Sequence, residues 1–247
     1  MKIENSTALV TGAGRRLGRA FALALGAAGM RVAVHYNNSR VDAQATLDQL
    51  RALGREAVGL ECDLTDPVAA AKLITRAEAA LGPVQVLVNS ASVFIPGRVE
   101  DTAPDRLRVD FALHAEAAYA LAREMALRLP TNVEGRIVNL LDWRASRLDP
   151  DYVSYSVAKS ALLALTQLLA RSLAPRITVN GIAPGIILPP ETTVTTIATP
   201  RKQTSAEVPA RRAGTPQDVV NALLYLVRDA DYVTGAVIPV DGGRHLL

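Results

Sequence analysis

The sequence has little of several features that define other classes of protein. It holds one cysteine, Cys62, in 247 residues, which excludes an internal disulfide and fits a reducing compartment. No apolar run approaches the ~18 residues of a membrane span, and the N-terminus lacks the cleavage pattern of a signal peptide. The net charge is only +3, without a basic stripe. We therefore expect a soluble, cytoplasmic protein that binds neither membranes nor nucleic acid.

Aromatic residues are also few, at 4% against 49% hydrophobic residues overall, so the core must be mainly aliphatic. No group of Cys, His and acidic residues has the spacing of metal ligands, and no metal is expected. Short β-rich runs occur at 7–11, 31–35, 57–62, 84–89, 136–141, 177–180 and 236–240. Helical patterns lie between them at 18–28, 41–53, 67–81, 103–129, 154–173 and 216–227.

This alternation predicts a single α/β domain over residues 1–247. Its strands read as continuous apolar runs, which is typical of parallel strands buried on both faces. The fold class we predict is Rossmann-like, a doubly wound parallel sheet of about seven strands with helices on both faces. Ligands of such sheets bind at the carboxyl ends of the strands.

Residues 186–214 depart from the pattern, being rich in Pro, Thr and Arg with weak periodicity. Unstructured loops of this length are uncommon and are often lids or disordered segments. Because the segment follows a strand end, we interpret it as a mobile substrate flap. The alternative is a disordered insertion without function.

A glycine-rich turn follows the first strand and precedes a helix. Gly12 and Gly14 allow a tight turn beside a ligand, and Gly18 allows close packing of helix on strand. The helix N-terminus then offers free N–H groups and positive partial charge to a pyrophosphate. A plain strand–helix turn is the alternative interpretation, but the strand–glycine–helix context favours dinucleotide binding.

The end of the second strand favours NADP over NAD. NAD-binding proteins usually place an acidic residue there for the ribose 2′-hydroxyl, and this chain has none. The segment is His35, Tyr36, Asn37, Asn38 and Ser39. Arg15 and Arg16 lie in the glycine turn beside Leu17, and guanidinium groups match a 2′-phosphate in charge and geometry. One of the two arginines could instead be an ordinary surface charge.

Tyr155 and Lys159 lie four residues apart in a helical segment, so the phenol and the ammonium share one helix face. A tyrosine with an ordinary pKa near ~10 is a poor acid–base group at neutral pH, and a nearby cation favours its phenolate. With the glycine turn, this pair makes the chain similar to the short-chain dehydrogenase/reductase family. The similarity extends from the turn through Asp63 and Asn89 to the C-terminal Asp241-Gly242-Gly243.

The resemblance implies a nicotinamide cofactor, Tyr155 as proton donor, and Lys159 as the residue that holds the ribose and lowers the pKa of Tyr155. It also implies a homotetramer packed through helices 103–129 and 154–173. The positions that it implies line the cofactor are Asp63, Leu64, Asn89, Ser90, Ala91, Pro184, Gly185 and Ile187.

Three departures from the common family pattern narrow the resemblance. Arg16 replaces a glycine, Asp142 replaces a serine thirteen residues before the tyrosine, and His114 replaces an asparagine. With the run Asn89-Ser90-Ala91-Ser92-Val93-Phe94, these resemble the pteridine reductases, and the ending Asp241-Gly242-Gly243-Arg244-His245-Leu246 resembles the dihydromonapterin reductases. That branch implies NADPH-dependent reduction of dihydropterins and, weakly, of dihydrofolate.

The chemistry of Asp142 agrees with this branch. Carbonyl reduction develops negative charge on oxygen, which a serine hydroxyl stabilises and a carboxylate repels. Reduction of a C=N bond needs a proton on nitrogen, and its protonated form is a cation that a carboxylate stabilises. Asp142 therefore suits an imine substrate. A purely structural aspartate is the alternative.

The same resemblance assigns further residues to the substrate. Phe94 would stack on the pterin and sandwich it against the nicotinamide, and Ser92 would bond the pterin or a cofactor phosphate. Trp143 could wall the pocket or pack in an interface, and Arg244 and His245 could line a neighbouring active site or belong to a frayed tail. His114 could simply be a packed, hydrogen-bonded histidine.

Two rival functions remain open. The first is an NADPH-dependent carbonyl or 3-oxoacyl reductase, which needs an oxyanion donor where Asp142 stands. The second is a non-catalytic NADP-binding scaffold, against which the intact Tyr155 and Lys159 pair weighs.

Overall fold

The computed structural model describes residues 1, 3–188, 206 and 208–247. Seven parallel strands form one sheet in the order β3-β2-β1-β4-β5-β6-β7. Their bounds are β1 Thr7–Val10, β2 Arg31–Tyr36, β3 Ala57–Glu61, β4 Val84–Asn89, β5 Gly135–Leu140, β6 Ile177–Pro184 and β7 Val237–Val240. The predicted fold class and strand number are confirmed.

Helices connect the strands and cover both faces of the sheet. Their bounds are α1 Arg16–Ala27, α2 Arg40–Ala52, α3 Pro67–Leu81, α4 Pro104–Phe111, α5 Ala117–Arg128, α6 Val153–Leu173 and α7 Pro216–Arg228. The aliphatic core is divided by the sheet. One half lies under α1, α2 and α7, and the other lies under α3, α5 and α6.

The strand order reverses between the neighbouring strands β1 and β4: the chain runs outward in one direction from β1 and in the other from β4. Strands that diverge in this way open a crevice at their carboxyl ends, where such sheets bind ligands. The glycine turn follows β1, and residues 89–92 follow β4. The fold therefore brings these two predicted segments together.

The helix predicted over 103–129 is confirmed over 104–128, but it is not α-helical throughout. The segment Ala112–Glu116 between α4 and α5 is π-helical, so the helix contains one residue more at this point than a regular α-helix would. Short π-helical segments often occur at functional sites, and His114 lies in the middle of this one. A second difference is β6, which runs four residues beyond the predicted end to Pro184.

The predicted flap over 186–214 lies largely outside the described residues, since 189–205 and 207 are not described. Its two described ends are joined by a hydrogen bond of 2.8 Å from the Gly214 amide to the Ile186 carbonyl. Among the described residues, α6 alone is long and apolar enough to cross a membrane by length and composition. It packs against β6 and α4 inside this fold.

Candidate active site

The turn after β1 is closely packed. Gly12 has φ +63°, and a Cβ there would lie 2.8 Å from the Cα of Ala91. A Cβ on Gly18 would lie 2.1 Å from the Gly12 carbonyl oxygen, so both positions exclude a side chain. Arg16 also has positive φ, at 51°, a conformation that favours glycine. Arg16 thus holds a backbone conformation that the glycine of the common family pattern would adopt without strain.

His35 supports this turn from below. The Gly12 amide donates to its Nδ1 at 3.0 Å, and its Nε2 lies 3.0 Å from the Cys62 carbonyl oxygen. Burial lowers the pKa of His35 to about 4, so the ring is neutral at pH 7. Sequence reasoning placed His35 against the cofactor, but both ring nitrogens are occupied by backbone groups. Its role in this structure is to fix the glycine turn to β2 and β3.

The arginines and the end of β2 border the same turn. Arg15 and Arg16 are exposed, and the Arg16 guanidinium lies 3.4 Å from the Leu188 carbonyl oxygen. Asn37 and Asn38 are exposed beyond β2, and Ser39 lies directly beside Gly14. Leu17 instead packs against the core. The turn is thus bordered by exposed cationic and amide side chains.

The loop after β4 is anchored by Thr11, which sequence reasoning missed. Its hydroxyl oxygen accepts hydrogen bonds from the Ser90 and Ala91 amides at 2.9 and 3.0 Å. The Asn89 amide donates to Asn139 at 2.8 Å, while its buried Oδ1 has no hydrogen-bond partner among the described residues. A hydroxyl residue at the end of β1 was the available signal.

The other residues predicted to line the cofactor also lie at the carboxyl ends of strands. Asp63 caps the loop after β3 by accepting from the Thr65 amide and hydroxyl at 2.9 and 2.8 Å, and Leu64 is buried beside it. Pro184 ends β6. Gly185 packs so closely on Asp241 that a Cβ would lie 2.7 Å from the Asp241 Cβ, and Ile187 follows, packed against the core.

Asp142, Tyr155 and Lys159 meet at the end of β5. The Tyr155 hydroxyl donates to the Asp142 carboxylate at 3.2 Å. Lys159 lies one turn further along α6, where its ammonium donates to the Leu140 carbonyl at 2.7 Å and lies 5.6 Å from the centre of the Tyr155 ring. Both Tyr155 and Lys159 are buried, whereas the Asp142 side chain is 17% exposed.

The electrostatics of this group keep the phenol protonated. Burial raises the pKa of Tyr155 well above its ordinary value, and the negative charge of Asp142 raises it further. Burial and Asp142 thus dominate the pKa of Tyr155 in the chain itself, and the lowering expected from Lys159 stays a prediction. Burial lowers the pKa of Lys159 to about 8, although Asp142 acts in the opposite direction. The site thus pairs a neutral phenol with a carboxylate.

A stack of rings and guanidinium groups surrounds Asp142. Arg144 donates to the Asp142 carboxylate from its backbone at 2.9 Å and lies 4.5 Å above the Trp143 ring. The Arg244 guanidinium lies 4.6 Å from the centre of the same Trp143 ring, which places the C-terminal segment at the site of its own chain. Phe94 stacks on Tyr152 with centroids 4.2 Å apart and remains 42% exposed. Sequence reasoning missed Arg144 and Tyr152.

His114 lies behind Tyr155. Its ring packs edge-on against the phenol at 5.4 Å, its Nε2 lies 3.0 Å from the Ser92 hydroxyl, and its Nδ1 lies 2.8 Å from the Asp110 carbonyl oxygen. Burial lowers the pKa of His114 to about 3. His114 thus joins the loop after β4 to α4. The described residues contain no group of three or more His, Cys, Asp or Glu that could hold a metal.

Comparison with known proteins agrees with this geometry. The sequence matches the protein family described as enoyl-(acyl carrier protein) reductase over residues 12–245. It is 32% identical to the 3-oxoacyl-[acyl-carrier-protein] reductase FabG of Escherichia coli, with full coverage of both chains. The chain belongs to the short-chain dehydrogenase/reductase family.

Two further proteins are similar to this chain over nearly its whole length. An uncharacterized oxidoreductase of Mycobacterium tuberculosis is 33% identical, over 98% of this chain and 93% of that protein. The crystal structure of FolM alternative dihydrofolate reductase 1 from Brucella canis, complexed with NADP, is 33% identical with a TM-score of 0.90. The similarity covers 100% of this chain and 97% of that one. The short-chain reductase fold thus extends over the whole length of this chain.

Proposed function

We propose that this short-chain oxidoreductase uses NADPH to reduce a C=N bond of a dihydropterin, of the dihydromonapterin or dihydrobiopterin type, with dihydrofolate as a further substrate. The observation that carries the proposal is the Asp142 carboxylate, 3.2 Å from the Tyr155 hydroxyl at the end of β5. The similarity to the Brucella canis FolM structure supports the same substrate class.

The residues around the glycine turn fit a phosphorylated dinucleotide. Gly12 and Gly18 pack directly against Ala91 and the Gly12 carbonyl, so the turn is tight where α1 begins, and helix N-termini of this kind bind pyrophosphate through their N–H groups. Arg15 and Arg16 are the groups that would hold the 2′-phosphate. The similar FolM structure from Brucella canis is complexed with NADP, which agrees with this choice. NADPH bound there supplies the hydride.

The chain's own residues then supply the proton and hold the substrate. The Tyr155 phenol stays protonated at neutral pH and can give its proton to a ring nitrogen. Asp142 would accept a hydrogen bond from that nitrogen or from the 2-amino group and stabilise the protonated, cationic ring. Lys159 would hold the ribose. The exposed part of Phe94 offers a flat surface for stacking.

The second candidate is a carbonyl or 3-oxoacyl reductase, which the similarity to the Escherichia coli FabG favours. That reaction develops an oxyanion, and the electrostatics oppose it at this position. Asp142 would lie within hydrogen-bond distance of the same phenol and would repel the developing charge. Reduction of a dihydropterin therefore agrees better with the position of Asp142 beside Tyr155.

The deciding experiment follows NADPH oxidation with 7,8-dihydromonapterin and 7,8-dihydrobiopterin against a panel of small ketones. We expect turnover of a dihydropterin that falls at least ~100-fold in Asp142→Asn, the loss typical of a general acid–base or charge-stabilising group. Asp142→Ser should reduce dihydropterin turnover likewise and raise ketone turnover. Ketone turnover by the natural chain without any pterin turnover would overturn the proposal.

We also propose that the protein is a cytoplasmic homotetramer. Apolar side chains are exposed along α4, α5 and α6, the helices of the predicted interface. They are Leu107, Val109, Phe111, Tyr119, Leu127, Val157 and Leu168. Exposed apolar groups collected in this way are typical of an interface. Light scattering on the purified chain should give about four times the 26.2 kDa monomer mass. A monomeric mass would contradict this.

A further inference from the structure

His114 and Ser92 form a hydrogen-bonded pair at the edge of the site, and the structure determines which of the two donates. Ser92 lies on the exposed side, in the loop after β4, and His114 is buried in the π-helical segment. Their oxygen and nitrogen atoms are 3.0 Å apart. A serine hydroxyl can donate or accept, so its direction depends on which ring nitrogen carries the histidine proton.

The other side of the ring decides that question. The Nδ1 atom lies 2.8 Å from the Asp110 carbonyl oxygen, which can only accept, so Nδ1 must carry the proton. Asp110 is itself fixed, because its buried carboxylate receives hydrogen bonds from Arg106 and from Ser154. The low pKa of about 3 keeps the ring neutral. Nε2 is then an acceptor.

We propose that His114 is a positioning residue that commits the Ser92 hydroxyl proton to Nε2 and leaves the Ser92 oxygen as an acceptor toward the substrate. This rests on the proposed function, which it deepens. Ser92 and the Asp142 carboxylate then form a recognition edge of two acceptors beside the one donor, Tyr155. Such an edge selects a substrate with several N–H groups and disfavours one that offers only a carbonyl oxygen.

The proton position can be measured without any substrate. The chain has three histidines, so long-range ¹⁵N–¹H spectra of the ¹⁵N-histidine-labelled full chain are simple. His114 should carry its proton on Nδ1. His35 is an internal control of opposite type, since its Nδ1 accepts from the Gly12 amide and its proton must lie on Nε2. A proton on Nε2 of His114 at neutral pH would overturn the inference.

Kinetics then test the role in substrate recognition. We expect His114→Asn, whose shorter amide keeps the Asp110 contact and loses Ser92, to raise KM for the dihydropterin about 10-fold. KM for NADPH should stay within 2-fold. Ser92→Ala should give a similar rise, and the double variant should be no worse than either single variant, because each removes the same interaction. His114→Gln can place an acceptor near the former Nε2 and should restore much of the loss.

Controls separate this inference from the proposed function. Ser172→Ala changes an exposed serine of α6 whose hydroxyl donates to the Leu168 carbonyl, and it should leave all constants unchanged. Additive effects in the double variant would mean that His114 acts apart from Ser92 and would overturn the inference. The expected proton on Nδ1 together with no turnover of any dihydropterin would instead overturn the proposed function, leaving the direction of the hydroxyl established.

Discussion

Two buried neutral histidines make the stability of this protein sensitive to mild acid. His35 and His114 have pKa values of about 4 and about 3 in the folded chain, against an ordinary value of 6.5. Between pH 6.5 and about 4 the unfolded chain therefore binds two protons that the folded chain excludes. Stability is complete above pH 6.5 and falls as the pH decreases through this window.

The size of the effect follows from the shifts. At pH 5 each histidine is 1.5 pH units below its ordinary pKa of 6.5, which corresponds to about 2 kcal/mol per ring, or about 4 kcal/mol for both. That is a large part of the 5–15 kcal/mol typical of a whole domain. Ordinary carboxyl groups titrate below this range, with pKa values near ~4, and contribute little above pH 5.

The assay is urea unfolding followed by circular dichroism at half-unit steps from pH 7.5 to 5. The free energy of unfolding should fall with a slope that approaches about 2.7 kcal/mol per pH unit. His35→Asn should lower stability at every pH, because it loses the Cys62 contact, and should halve the slope. A flat profile, or a variant that keeps the full slope, would refute the assignment of neutral buried rings.

Three further predictions concern single residues of the site. Arg16→Gly should raise KM for NADPH at least 10-fold and KM for NADH much less, which steady-state kinetics measure. The same change relieves the positive φ of 51° and should raise the free energy of unfolding by about 1 kcal/mol, which urea titration measures. Lys159, with its pKa lowered to about 8, is charged below pH 8, so kcat/KM should decline as the pH rises through 8. Lys159→Arg should remove that decline if the variant is active. An unchanged pH profile of kcat/KM in that variant would contradict the assignment of the decline to Lys159. Trp143 is the only tryptophan and lies against two guanidinium groups beside Asp142, so dihydropterin binding should change its fluorescence by tens of per cent; an unchanged spectrum at saturation would place the substrate elsewhere.

Most of the sheet could be predicted from local pattern, because strands buried on both faces read as uninterrupted aliphatic runs. The π-helical segment could not. Its sequence, Ala-Leu-His-Ala-Glu, is compatible with an ordinary α-helix, so nothing local marks the extra residue. The continuation of β6 to Pro184 was also missed, because a glycine and a proline lower strand propensity and pairing with β5 and β7 compensates.

The candidate site divides in the same way. The spacing of Tyr155 and Lys159 is local to one helix and could be read directly from the sequence. The raised pKa of the Tyr155 phenol could not be read from the sequence, because it depends on burial and on Asp142, which lies after β5 and contacts Tyr155 only in the fold. His35 was assigned from its place at the end of β2, yet the residue it supports, Gly12, is 23 positions away. Contacts of this range become visible only in the folded chain.

The π-helical segment has a consequence for which changes of chain length the protein can accept. One extra residue turns everything after it by about 100° around the helix axis. That phase shift lets α4 present one side to α6 while α5 presents another side to α3. Deletion of a single residue between 112 and 116 would restore an uninterrupted helix and leave one of the two partners facing the wrong side chains. At this point the number of residues is constrained more tightly than their identity, except at His114.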